Sequence, residues 1–394
     1  MAETTGISWC RSTFNPWRGC TKVNSGCTNC YAESNYSVKM HGVKWGPHGT
    51  RVRLSDAGWK QPLKWNREAE KAGERHRVFC ASLADVFEDW QGPILDHEQR
   101  RCAVKCDGLI KGIGRDLDKF PLSDWRWATM DDLRRDLFAL IDQTPWLDWL
   151  LLTKRPENIR RMWPKTPWDA CRKCGTRVDD LESDERERLY QLDEHDDGWE
   201  CIACHTAVSW YRSNVWIGTS ISDHATADEW VPRLLWRRDL APVRFLSCEP
   251  LLGPVDLSKW LPSTDGFVCC GSEGDPVHVD DGGRGIDWVI VGGESGHGAR
   301  PCNVEWVRSI VEQCRAAGVA CFVKQLGANV CMTFDEWNDL TDGGSRGSLR
   351  FVLNGSGEIE EWRPTDSKGG DPNEWPEDLR VREMPSTNHT EHAR

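Results

Sequence analysis

The sequence predicts an α/β fold, a partial or complete βα barrel with a zinc-ribbon-like insertion. Three observations carry that prediction: six short apolar runs that stop abruptly in polar residues, helix-like stretches between them, and one charged segment, bearing two pairs of cysteines, that interrupts the rhythm. At 394 residues, 39% hydrophobic and 28% charged, the chain has apolar material for a substantial core, as one large domain with insertions or as two.

The runs cover 77–82, 149–154, 214–220, 243–249, 287–294 and 320–325. They are continuous rather than alternating, as expected of strands buried on both faces of a parallel sheet. Helical character lies between them at 131–142, 225–238 and 303–317, the last with Val304, Val307, Ile310, Val311 and Cys314 on one side. Repeated strand–helix units imply a closed or partly closed barrel, whose chemistry sits at the carboxyl ends of the strands. Those ends carry Ser82 and Asp85, Thr153 and Lys154, Thr219 and Ser220, Glu249, Glu294, and Lys324 with Gln325. Any one of them reads equally as a strand-end cap; together they point to a shared site.

The expected organisation is a cluster loop and first barrel part over 1–164, the insertion over 165–210 and the second barrel part over 211–332. A glycine-rich loop insertion falls at about 262–285 within that second part, and a peripheral strand pair with a frayed tail over 333–394. No apolar run is long enough to cross a bilayer, and the amino-terminal stretch is neither basic nor hydrophobic, so a cytoplasmic, membrane-free protein is expected. Fifty Lys and Arg against 62 Asp and Glu leave a net charge of -12, which excludes coating nucleic acid through bulk charge but leaves room for a local basic groove.

Eighteen cysteines in such a chain suggest metal before disulfide. The stretch 13–33 places Cys20, Cys27 and Cys30 in one loop with Gly19 and Gly26, whose freedom allows sulfurs to be turned inward. A structural zinc normally takes four protein ligands, whereas a cubane iron–sulfur cluster held by three thiolates keeps one iron open. The competing reading is zinc with Cys10, His41 or His48 as fourth ligand.

The cysteine loop, its Cys-x-x-Cys-Tyr-Ala ending and the βα repeats after it resemble the radical AdoMet superfamily, whose commonest cysteine spacing is three and two where this chain has six and two. Seven blocks, NPWRGCTKVNSGCTNCYAE, RVFCASLADVFED, LLLTKRPEN, NVWIGTSISD, FLSCEPLLGPVDL, DWVIVGGESGHGARP and CFVKQLG, are similar in order to a phage and prophage family of three-Cys-motif proteins of unknown function. The resemblance implies a barrel of radical AdoMet type in a bacterial or phage-infected cell. Cys20, Cys27 and Cys30 would hold a 4Fe-4S cluster, with S-adenosylmethionine on the open iron. An electron from a flavodoxin- or ferredoxin-like donor would cleave it to a 5'-deoxyadenosyl radical that abstracts hydrogen from substrate. It further implies that Tyr31 packs on adenine and that Ser82 and Asp85 end the strand that binds the methionine amine.

Other candidates follow from the residues themselves. Glu294, after two glycines at a strand end, can approach a ligand closely and is a candidate for binding S-adenosylmethionine or substrate, and Glu249, Ser220 and Arg300 are candidates too; Lys154 and Arg155 suit a carboxylate or phosphate. Cys171 with Cys174, and Cys201 with Cys204, form paired knuckles that suit tetrahedral Zn2+, a second iron–sulfur cluster being the alternative. The pairs Cys102 with Cys106 and Cys269 with Cys270 complete no site alone, and Cys80, Cys248, Cys314 and Cys321 read as small core residues. Tryptophans 17, 45, 59, 65, 125 and 127 fall near basic residues, which makes a nucleotide or nucleic-acid substrate admissible. The expected function is a radical AdoMet enzyme. A non-catalytic, zinc-containing nucleic-acid-binding protein is the alternative, and an electron carrier a third reading.

Overall fold

A computed structural model describes residues 5–105, 108, 110–113, 124–163, 199–201, 206–208, 212–237, 240–262, 267–268, 277–278, 285–331, 351–353, 359–361 and 365–386. Its centre is a seven-stranded sheet: β1 (Ser12–Phe14), β2 (His76–Cys80), β3 (Leu147–Thr153), β4 (Val215–Ile221), β5 (Val243–Cys248), β6 (Trp288–Gly292) and β7 (Ala320–Gln325). The strands lie side by side in chain order and every pair is parallel. The sheet curls into a half-barrel, as strand twist accumulates in one direction. The six runs read from the sequence reappear within about two residues at each end, because burial on both faces needs continuous apolar sequence. β1 is too short for such a signal.

Four helices serve the crossovers: α1 (Gln61–Ala72), α2 (Met130–Asp142), α3 (His224–Leu235) and α4 (Val304–Ala317). Their ends are written locally. Thr129 and Asp132 form a capping box at α2, Asp223 accepts from Thr226 N at the start of α3, and Asn303 accepts from Glu305 N at α4. Gly73 and Gly318 close α1 and α4 in the left-handed region.

Alternation along the strands splits the core in two. Val78, Trp149, Leu151, Ile217, Leu246, Val289 and Val323 join the cluster shared with α2, α3 and α4 on the convex side. Phe79, Leu150, Trp216, Phe245, Trp288 and Phe322 fill the concave side with Trp9. Trp288 is the hub of this floor, its ring 5.7 Å from Phe245, 6.0 Å from Trp216, 6.1 Å from Trp9 and 6.2 Å from Phe322. Cys80, Cys248, Cys314 and Cys321 are buried core residues, as expected. Trp17 and Trp65 are buried too, so neither offers a face to a base.

Part of the carboxyl-terminal segment, read from sequence as a strand pair and frayed tail, is built in. The pair is present as Phe351–Leu353 against Ile359–Glu361. Residues 381–383 then run along the edge of β7, with Val323 N donating to Val381 O at 2.9 Å and Glu383 N to Cys321 O at 2.8 Å. Buried Trp375 and Leu379 anchor this segment, which covers an edge that would otherwise offer unpaired backbone groups.

His76, at the start of β2, is buried against Trp65 and 3.0 Å from Ser12 Oγ. Burial, with Arg11 and Arg77 nearby, lowers its pKa from 6.5 to about 4. The unfolded chain therefore binds a proton that the folded chain refuses, and stability falls as pH drops from 6.5 towards 4. A Tm–pH profile should show this decline and His76→Gln should flatten it; an equally steep profile in the variant would contradict the assignment.

Candidate functional site at the carboxyl ends of the strands

After β1 the chain enters the loop that carries the three cysteines, and two glycines let it sit where it does. Gly19 has φ 109°, and a Cβ there would stand 2.3 Å from Thr50 O. At Gly26 a Cβ would stand 2.3 Å from Ser222 Oγ, just beyond β4, so the loop rests directly on that strand's end.

Three further ties hold it. Asn15, at the end of β1, accepts from Leu83 N at 2.7 Å and bonds Ser82, whose carbonyl accepts from the Tyr31 hydroxyl at 2.8 Å. Beyond β6, Glu294 pairs with Arg300, at 2.6 Å to Nη2 and 3.0 Å to Nε, and accepts from Asn29 at 3.0 Å. Arg300 in turn donates to Ser25 O at 2.7 Å. Burial pushes the Glu294 carboxyl up, but the bonds from Arg300 and Asn29 outweigh it and hold the group below its ordinary range.

The third tie is a buried ion network. Arg155, just after β3, donates to Asp85 at 2.8 Å and to Thr21 O at 2.7 Å, and its Nη1 lies 3.6 Å from Cys20 Sγ. Asp85 also accepts from Thr153 Oγ1 and from Lys154 N. Glu88, 3.5 Å from Arg155, takes both arms of Arg51 at 2.7 Å. Loss of water contact pushes the Cys20 thiol up to about 12, Glu88 and Asp85 adding to the rise and Arg155 opposing it. Cys20 thus keeps its proton at neutral pH unless a metal displaces it. On the outer flank a cavity of about 570 Å³ opens between Thr21–Asn24 and the segments after β2 and β3, with Trp90, Lys154 and Trp230 in its wall.

Inside the half-barrel the alternation that brings up Trp216, Phe245 and Phe322 also brings up Ser220, Ser247, Glu249 and Lys324, nearer the carboxyl mouth. Lys324 Nζ lies 2.9 Å from Glu249 Oε1 and Ser247 Oγ donates to Glu249 Oε2 at 3.2 Å. A Cβ at Gly292 would stand 3.0 Å from Glu249 Oε1, so this glycine leaves space for the carboxylate.

The predicted candidates therefore divide. Ser220 and Glu249 line the concave face, whereas Ser82, Asp85 and Glu294 spend their polar atoms fastening the cysteine loop. Asn15, Asn29, Arg51 and Glu88 were not legible as site residues, since their partners lie far away in sequence; Ser247 sits only two residues from Glu249 but inside an apolar run that reads as strand interior. Cys10 packs with the aromatic floor. Cys20, Cys27 and Cys30 are free, half-buried thiols. Their sulfurs meet separate neighbours, Cys20 at Arg155 and Cys27 at Asn24 Oδ1, and among the described residues no three His, Cys, Asp or Glu side chains are gathered closely enough to hold a metal ion. As a donor set, three soft thiols on one short loop fit an iron–sulfur cluster that retains an open iron. Of the proposed zinc ligands, Cys171, Cys174 and Cys204 lie outside the described residues, as do Cys106, Cys269 and Cys270; Cys201 ends a strand, Trp199–Cys201, paired with Thr206–Val208.

Fold and site define a mixed α/β half-barrel protein with a polar site at the carboxyl ends of its parallel strands, capped by a three-cysteine loop. Among the described residues no helix is long and apolar enough to cross a membrane. The chain belongs to the family described as "Protein of unknown function (DUF5131)", which it matches over residues 4–96 and 121–353. No curated protein and no solved structure matches it.

Proposed function

We propose that the protein is a radical AdoMet enzyme in which Cys20, Cys27 and Cys30 hold a 4Fe-4S cluster. One observation carries the reading: a loop with three free thiols is fastened, from the ends of β1, β2, β3, β4 and β6, over the mouth of a parallel half-barrel. The loop has to gather the three sulfurs on binding. When bound, the cluster would supply the low-potential electron that breaks a sulfonium carbon–sulfur bond of S-adenosylmethionine, giving methionine and a carbon radical able to take hydrogen from substrate.

The chain's own residues have defined parts in this scheme. Arg155 donates towards Cys20, and Asn29, Glu294 and Arg300 hold the far side of the loop. Tyr31 would pack against adenine. Ser220, Ser247, Glu249 and Lys324 would bind cofactor or substrate, and the aromatic floor below them keeps water from one side of the reaction space. A flavodoxin or ferredoxin would deliver the electron, and Cys171, Cys174, Cys201 and Cys204 would hold Zn2+ as a structural site. The resemblance of this chain's cysteine loop to the radical AdoMet superfamily supports the reading without adding a substrate.

Anaerobic reconstitution tests it. About four iron and four sulfide per chain beyond the zinc, with 5'-deoxyadenosine formed only when reductant is added, is the expected outcome. Zinc alone in protein purified without oxygen would favour the non-catalytic zinc protein and reject the enzyme.

A further inference from the structure

The chain as a whole is acidic, with a net charge of -12, yet residues 10–53 contain seven Lys and Arg, a single Glu and no Asp. The cysteine loop thus lies in the basic part of an acidic protein. The same part breaks the rule that large apolar side chains hide. Among the described residues the exposed large hydrophobics are Val23, Tyr31, Tyr36, Met40 and Trp236, and four of these five fall within 23–40.

Packing explains why they face outward. Val38 is buried against Ala32 and Leu83, which turns the short helix Tyr36–Met40 so that Tyr36, Lys39 and Met40 stand in solvent. Tyr36 is 78% exposed and Met40 60%. Lys44 and His48 are exposed on the adjoining turn, which is tied to the cysteine loop by Gly46 N donating to Cys20 O at 2.9 Å. The one acid of the segment, Glu33, is neutralised by Lys22 at 2.7 Å. Aromatic and thioether groups interleaved with cations, and no free carboxylate among them, suit a ligand with a repeating negative charge and flat, apolar faces.

We propose that the Tyr36–His48 surface beside the cysteine loop binds single-stranded nucleic acid. Lys39 and Lys44 take phosphates, Tyr36 stacks on an unpaired base, and a neighbouring nucleotide is led to the mouth of the half-barrel. Duplex is the poorer ligand because its bases are already stacked. The inference rests on the proposed reaction only in naming its substrate class; the binding itself needs no cluster.

Fluorescence anisotropy with the cluster-free full chain and a labelled 20-nucleotide DNA or RNA, against the matching duplexes, is the test, run over a range of salt from about 50 mM. Single strands should bind at least tenfold more tightly than duplex, DNA or RNA preference then showing which sugar is read. Tyr36→Ala should weaken binding about 5- to 100-fold with the salt slope unchanged. Lys39→Ala should lower that slope by about 0.7. Trp236→Ala, at the carboxyl end of α3, should change nothing. No binding at low salt, equal affinity for duplex, an equal loss in Trp236→Ala, or competition by poly-glutamate as strong as by oligonucleotide would overturn the proposal. Because no iron is present, those results stand apart from the success or failure of reconstitution.

Discussion

Cys27→Ala is expected to remove the cluster and abolish AdoMet cleavage while the fold survives. Cys27 is half-buried, and its sulfur bonds Asn24, within its own loop, so truncation should alter unfolding free energy by no more than about 0.5 kcal/mol. Two thiols cannot hold a site-differentiated cubane, so iron should fall from about four per chain towards background. Reductant-dependent 5'-deoxyadenosine should disappear with it. A variant with full iron and normal cleavage would show that the triplet is not the cluster site, whatever the fold does.

Arg155→Met should be the most destabilising single substitution near the site. Arg155 is 6% exposed, and removal of its guanidinium leaves Asp85, 5% exposed, without a cation. Stripping one partner from a buried pair costs about 3–5 kcal/mol, since the remaining charge stays desolvated. Burial opposes the charge on Arg155, but the carboxylates of Asp85 and Glu88 hold it protonated, so the pair does not escape by neutralising itself at ordinary pH. Glu88 is less affected, because Arg51 still grips both its oxygens. Arg155→Lys should recover part of the loss as a point charge lacking the fork that reaches Thr21. Urea titrations measure all three proteins; a loss below about 1 kcal/mol in the Met variant would mean that water reaches Asp85 and that the network is not a closed one.

Much of the scaffold was legible because two-sided burial writes itself into contiguous residues. The run 149–154 needs no partner to be recognised. β1 escaped because three residues carry no period. Trp17 and Trp65 misled because a basic neighbour in sequence says nothing about which way a ring points: both are buried and Trp65 stacks on His76 within the core, while Tyr36, unremarkable in sequence, stands in solvent.

Residue types and spacings alone determined the parallel strand–helix order, the polar strand ends and the grouping of three thiols between two glycines, since each depends on interactions within a few positions. Only the tertiary structure decided that Asp85 and Glu294 brace the loop while Ser220 and Glu249 face the interior. Their partners, Arg155 and Asn29, are 70 and 265 residues away. A carboxylate's role follows from which charges fold to within hydrogen-bonding distance of it, and chain order does not encode that distance locally.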